Sequence, residues 1–170
     1  MNVENPVETV GNSPMEERSG RMDETMVLKF KRLREEALLP ERKTDGSAGY
    51  DLRACIAAPL TLEPGDLVLL PTGLGAEIPQ GTAGFIFTRS GLGVKHGVAV
   101  SNGVGVIDSD YRGEIHVGLR NGGKAPYTIQ PGERVAQLIL MPVCTPPVEE
   151  VDQLSETQRG QGGFGSTGSL

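Results

Sequence analysis

From Leu28 onward, short apolar runs alternate with clusters of Gly, Pro, Asn and Asp. Leu28-Lys29-Phe30-Lys31 alternates apolar and polar, the period of a half-buried strand. By the same reasoning residues 50–55, 60–62, 66–70, 75–79, 84–88, 98–101, 104–107, 114–119, 127–129 and 135–141 read as strands. Val135 to Met141 is nearly all apolar, which predicts a central strand covered on both faces. Val148 to Leu154 offers a last strand, beyond the breakers Pro142, Pro146 and Pro147. Ser90 to His96 is the place for a short helix, with Ser90 as its cap. Asn102-Gly103 between two apolar runs predicts a hairpin, because both turn positions favour positive φ. Pro64-Gly65-Asp66 and Pro131-Gly132-Glu133 each follow a short Thr-containing strand and predict two similar hairpins. Many short strands between turns specify an all-β barrel or jelly roll with one short helix.

The two ends depart from this pattern. Residues 1–25 are polar and mostly acidic, with Pro6, Pro14, Gly11 and Gly20, and are expected to be a disordered leader. Residues 155–170 are rich in Gly, Ser and Gln and carry one aromatic. The folded domain is therefore expected to be 26–154. Of 170 residues, 24 are Gly and 12 are Pro, and Trp is absent, which suits strands and turns better than a helical bundle. The formal net charge of −6 argues against nucleic acid or an anionic membrane as partner, but leaves room for a nucleotide held by a few local cations. No apolar run approaches a membrane span. Cys55 and Cys144 lie far apart without metal-ligand spacing and read as reduced thiols of a cytoplasmic protein, with a disulfide as the lesser alternative.

Chemistry concentrates in a few places. Residues 108–112 put two carboxylates, one phenol and one guanidinium close together. Strand alternation would send Asp108, Asp110 and Arg112 to one face and Tyr111 to the other. Taken alone, such a stretch is a polar hairpin end with a surface ion pair. Arg89-Ser90-Gly91 combines a guanidinium fork, a hydroxyl and backbone N–H groups, a set suited to phosphate. Arg89 could instead be a structural ion-pair partner. Gln137 interrupts an apolar strand and needs a hydrogen-bond partner, whether ligand or backbone. The tail from Arg159 to Thr167 has the glycines of a phosphate-binding loop. It lacks the Lys before Ser166-Thr167, and no helix follows, so a Walker-type site is excluded.

Five stretches, in order, resemble the sequence blocks of the trimeric dUTPases: 48–52 (AGYDL), 89–93 (RSGLG), 105–115 (GVIDSDYRGEI), 132–138 (GERVAQL) and 159–168 (RGQGGFGSTG). Thr88 and Gly93 depart from the family's frequent Pro and Ala without removing a ligand-binding group. The resemblance implies a jelly-roll-like homotrimer that hydrolyses dUTP to dUMP and pyrophosphate with Mg²⁺. It thereby implies a role in limiting uracil in DNA and supplying dUMP for thymidylate synthesis. Asp108 falls at the family's catalytic Asp and would orient the attacking water; Asp110, its rival, falls at a variable position. Tyr111 would pack on the deoxyribose and exclude a 2′-hydroxyl, unless it is a core tyrosine. Asn102, Gly105, Val106 and Ile107 would read uracil along a strand-like edge. Arg89, Ser90, Gly91 and Gln137 would hold phosphates, and His116 would make a backbone contact near the substrate. Asp51 would hold Mg²⁺ through coordinated water. The tail would close as a lid, with Phe164 stacking on uracil and Arg159, Gly165, Ser166 and Thr167 at the terminal phosphate, and sites would be shared between subunits. Two alternatives remain open: a dCTP deaminase-like enzyme, and a non-catalytic nucleotide sensor.

Overall fold

The computed structural model describes residues 26–162. In chain order the elements are β1 (Lys29–Arg32), β2 (Tyr50–Arg53), β3 (Leu60–Leu62), β4 (Leu67–Pro71), β5 (Leu74–Glu77), β6 (Thr82–Phe87), α1 (Ser90–His96), β7 (Val98–Val100), β8 (Gly105–Ile107), β9 (His116–Asn121), β10 (Tyr127–Ile129) and β11 (Arg134–Pro142). β11, the longest strand, is central as its apolar run predicts: it pairs antiparallel with β2 on one side and β6 on the other. With β8 beyond β6, the sheet runs β2-β11-β6-β8. A second antiparallel sheet runs β4-β9-β7, and two-stranded ribbons β1-β5 and β3-β10 complete the all-β, jelly-roll-like barrel with its one short helix. One core joins them, with Leu52, Leu70, Leu119 and Leu138 fully buried. Each such side chain contributes roughly 1.5–3 kcal/mol of burial free energy.

The turns form as predicted, but the strands beside them pair elsewhere. Gly103 adopts φ 77°, and its N–H donates to the Val100 carbonyl at 3.2 Å. Yet β7 pairs with β9 and β8 pairs with β6, so Asn102-Gly103 joins two sheets and is not a hairpin turn. Separate partners let Val98 and Val100 enter the core while Ile107 packs against it from the other sheet. The two Pro-Gly-acid turns behave alike. In each, a carboxylate accepts the N–H three residues earlier: Asp66 from Glu63 and Glu133 from Gln130, both at 2.8 Å. The strands that precede these turns pair with each other, β3 with β10, so neither turn closes a hairpin.

Two further expectations need correction. Arg89 stands at the N-cap of α1 without a side-chain capping bond, and Ser90 is the first helical residue. Val148 to Leu154 forms no strand: Val148 and Leu154 are exposed, and the segment has no ladder among the described residues. Pro146 and Pro147 just upstream offer no N–H for a ladder. Residues 1–25, expected to be a disordered leader, lie outside the described residues. Among the described residues no helix is long and apolar enough to cross a membrane.

Candidate active site

β6 ends at Phe87, and the chain turns through Thr88 and Arg89 into α1. This turn lies beside the start of β11 and against β2. Cross-strand register sets Asp51 opposite Gln137 and Gln137 opposite Phe87, so Asp51 and Gln137 share a face. A bulge in β11 between Arg134 and Ala136 brings Arg134 to that face too. In a regular strand, residues three apart point to opposite sides; the extra residue restores the parity. Asp51, Arg89, Ser90, Gly91, Arg134 and Gln137, joined by Lys43 from the preceding loop, line a cavity of about 380 Å³.

An ion-pair network stiffens this cavity. Arg89 Nε donates to Asp51 Oδ1 and Arg134 Nη1 to Asp51 Oδ2, both at 2.9 Å, while Arg89 Nη1 holds the Arg134 carbonyl at 2.9 Å. Arg89 thus makes the structural ion pair weighed against phosphate binding, and still lines the cavity. Gln137 Nε2 donates to the Thr88 carbonyl at 3.2 Å, which supplies the backbone partner. Its Oε1 faces Gly49, where a Cβ would lie only 2.7 Å away, so any side chain at residue 49 would force the Gln137 amide to shift. Three cations, Lys43, Arg89 and Arg134, against one carboxylate, Asp51, give the cavity a net positive charge within an acidic protein. Such a cavity attracts polyphosphate and repels a free cation.

The second cavity, of about 220 Å³, is lined by Val106, Ile107, Asp108, Tyr111, Glu114 and His116. It shares no lining residue with the first. Residues 108–113 form a turn outside any strand, so the alternating facings expected for Asp108, Tyr111 and Arg112 do not apply. The Tyr111 N–H donates to the Asp108 carbonyl at 3.2 Å, which folds both side chains toward one cavity. Tyr111 is 43% exposed, so it is not a core tyrosine. Its hydroxyl donates to the Glu114 carbonyl at 2.9 Å, and a Cβ on Gly113 would collide with that hydroxyl. His116 Nδ1 lies 3.1 Å from the same carbonyl. The Asp108 carboxylate makes no ion pair among the described residues.

Glu114 holds this loop, and sequence reasoning missed it although it lies inside the third block. Its carboxylate accepts the Gly73 N–H at 2.8 Å and Arg34 Nη2 at 2.9 Å. Burial pushes the Glu114 carboxyl up, but the Gly73 amide and the Arg34 guanidinium pull harder and leave it below the usual range. A carboxyl depressed in the folded state stabilises the fold above its unfolded pKa, and that stability is lost as pH falls through the folded value. Glu114→Gln should therefore unfold at lower urea than the parent at pH 7, with the gap closing as pH falls through the lowered pKa of Glu114 in the folded state. A gap independent of pH would remove the ionised Glu114 from this account. Lys43 and Arg134 were also missed. Lys43 sits in a polar loop with no periodic signal, and Arg134 appears on the wrong face until the bulge is known.

The remaining expected residues are less gathered. Asn102 lies in the exposed turn between β7 and β8. A Cβ on Gly105 would lie 3.2 Å from Ile86 Cβ, so the close neighbour there is the adjoining strand. Arg159 is exposed, and its Nε donates to the Gly162 carbonyl at 2.8 Å, outside both cavities. Phe164, Gly165, Ser166 and Thr167 lie outside the described residues.

The dUTPase family model matches residues 35–168, most of the chain. The chain belongs to the dUTPase family. It is 53% identical over 138 residues to the deoxyuridine 5'-triphosphate nucleotidohydrolase of Alcanivorax borkumensis, spanning 81% of this chain and 92% of that one. To the protein of the same name from Ectopseudomonas mendocina it is 54% identical over 139 residues, with coverages of 81% and 92%. Among solved structures it resembles the Staphylococcus bacteriophage 80alpha dUTPase with dUPNHPP, at a TM-score of 0.76 and 29% identity, covering 84% of this chain and 99% of that one. A mutant dUTPase from phage phi11 of S. aureus, in which a structural Mg(II) ion is coordinated, gives a TM-score of 0.68 and 27% identity over 75% of this chain and 97% of that one. Family membership bears out the expected enzyme class, dUTP diphosphatase, and the nucleotide-metabolic hydrolase it implies.

Among the described residues no group of three or more His, Cys, Asp or Glu side chains gathers as a metal site. Asp51, the expected Mg²⁺ residue, has one guanidinium on each oxygen. Each oxygen keeps a free lone pair, enough to accept a hydrogen bond from a metal-bound water, while the two Arg neighbours oppose direct binding of a cation. The donor set therefore fits Mg²⁺ arriving with a polyphosphate.

Proposed function

We propose that this chain hydrolyses dUTP to dUMP and pyrophosphate by attack of a water, oriented by Asp108, on the α-phosphorus. The observation that carries this reading is the pairing of a cation-lined cavity with a separate cavity holding a pinned phenol and a carboxylate that makes no ion pair among the described residues. Arg89, Ser90, Gly91 and Gln137 bind the phosphates, with Lys43 and Arg134 adding charge. Mg²⁺, carried in with the nucleotide and touching Asp51 through water, neutralises phosphate charge. β7 and β8 are both edge strands, so each leaves backbone groups outside its sheet ladder, of which the Val100 N–H donates to Thr88 Oγ1 at 2.8 Å. Uracil lies between those edges, beside Asn102, Gly105, Val106 and Ile107, and presents acceptor, donor and acceptor to them. Cytosine reverses two of these and leaves buried groups unpaired, at about 1–3 kcal/mol each. His116 borders the sugar by its backbone.

The two cavities share no residue, and this separation supports a homotrimer in which different subunits complete one site. Residues 155–170 act as a lid, with Arg159, Ser166 and Thr167 at the γ-phosphate and Phe164 on the base. In the cytoplasm this reaction keeps uracil out of DNA and yields dUMP for thymidylate synthesis.

Incubation with dUTP or dCTP, Mg²⁺ and isotopically labelled water tests the reading. The expected products are dUMP and pyrophosphate, from dUTP alone, with the label in dUMP. Label in pyrophosphate would refute attack at the α-phosphorus, release of ammonia from dCTP would favour the deaminase, and no turnover would favour a sensor.

Tyr111→Ala should lower discrimination against UTP by about tenfold or more, because the ring that clashes with a 2′-hydroxyl is gone. The measurement is the ratio of kcat/KM for dUTP and UTP. An unchanged ratio would mean that Tyr111 does not face the sugar.

A further inference from the structure

Across the Asp51–Arg134 ion pair from the phosphate cavity lies another cavity, of about 440 Å³, lined by Glu41, Arg42, Lys43, Asp51, Arg53 and Arg134. The two cavities share Lys43, Asp51 and Arg134 as a common wall. In a chain of net charge −6, four cations here face two carboxylates. Arg42, Lys43 and Arg53 form no ion pair among the described residues. Two of the three are nevertheless held in place. Arg53 Nη1 donates to the Gly132 carbonyl at 3.0 Å and Arg42 Nη1 to the Asp45 carbonyl at 2.8 Å. The Arg42 guanidinium also lies over the Tyr50 ring, 5.9 Å from its centre. Each bond occupies one of five guanidinium donors and leaves the others free for a ligand. Guanidinium groups fixed by backbone bonds but lacking carboxylate partners are preorganised for an anion with several oxygens.

We propose that this cavity is a second anion site, which takes a phosphate group beyond the three held next to Arg89. The inference rests on the phosphate role proposed above for the neighbouring cavity. The phosphate group has two chemical sources. It can belong to free inorganic pyrophosphate, or to the terminal unit of a deoxyuridine nucleotide longer than a triphosphate. In both cases Arg42 is the diagnostic residue, because it lines this cavity and not the first.

The test is calorimetric and uses the full chain. Inorganic pyrophosphate is titrated into protein already saturated with dUPNHPP, and deoxyuridine 5′-tetraphosphate is titrated into free protein. Pyrophosphate should still bind the saturated protein, and Arg42→Ala should weaken binding of at least one of the two probes by about tenfold, the loss of one charge-assisted contact. Affinity for dUPNHPP should stay within about twofold. A loss confined to pyrophosphate identifies a free-anion site, and a loss confined to the tetraphosphate identifies a tail site. Arg42→Gln, which keeps the stem over Tyr50, serves as the second variant and should show the same loss. If both variants bind both probes as the parent does, or lose dUPNHPP affinity equally, the second site does not exist. If dUPNHPP itself fails to bind the parent, the proposed function fails. Pyrophosphate binding to nucleotide-free parent and Arg42→Gln protein then still decides this inference.

Discussion

Asp108→Asn should reduce kcat by about three orders of magnitude while dUTP binding changes little. The argument begins with what Asp108 does not do. Its carboxylate joins no ion pair among the described residues, and the loop is held by other contacts: Tyr111 N–H to the Asp108 carbonyl, Tyr111 hydroxyl to the Glu114 carbonyl, and the Glu114 carboxylate to Gly73 and Arg34. Asparagine has the same shape and preserves all of these. It has no basic oxygen with which to orient or accept a proton from water, and a general base supplies about 10²–10⁴ in rate. Removing a negative charge near a triphosphate does not weaken binding. The check is kcat from pyrophosphate release, set beside calorimetric affinity for dUPNHPP. Equal losses in both would make Asp108 structural.

The second large effect is a gain. Asp108→Asn and Arg89→Ala should each be nearly inactive alone, and a mixture refolded together should recover about a quarter of parental activity. The number follows from the two separate cavities. If a complete site takes Asp108 from one subunit and Arg89 from another, half of the chains carry each intact residue. One site in four then combines both. Arg89→Ala leaves Asp51 its bond to Arg134, so the wall of the cavity survives. Native mass spectrometry confirms mixed trimers, and thermal melting confirms that each variant folds. Mixed trimers without activity would show that one chain supplies both residues, and the shared site would have to be abandoned.

The sequence by itself determined the eleven strands that form among the described residues, the centrality of β11, the short helix and the turns at Pro64-Gly65, Asn102-Gly103 and Pro131-Gly132. These depend on local rules: apolar period, β-propensity and the positive φ of glycine. Its five blocks also determined the family. What the tertiary structure decided was pairing and facing. Asn102-Gly103 turns as its residues require, yet β7 and β8 pair in different sheets, which lets Val98 and Val100 enter the core while Ile107 packs against it from the other sheet. Val148 to Leu154 has the pattern of a strand yet forms no ladder, and Pro146 and Pro147 just upstream cannot donate to one. Arg134 joins Asp51 and Gln137 only because a bulge shifts its face, and a bulge has no signature in a run such as Arg134-Val135-Ala136-Gln137. Glu114 holds the Asp108 loop through Gly73 and Arg34, residues that are distant in sequence. A sequence written in one dimension carries which groups are present; which groups meet is set by long-range packing, which local pattern does not encode.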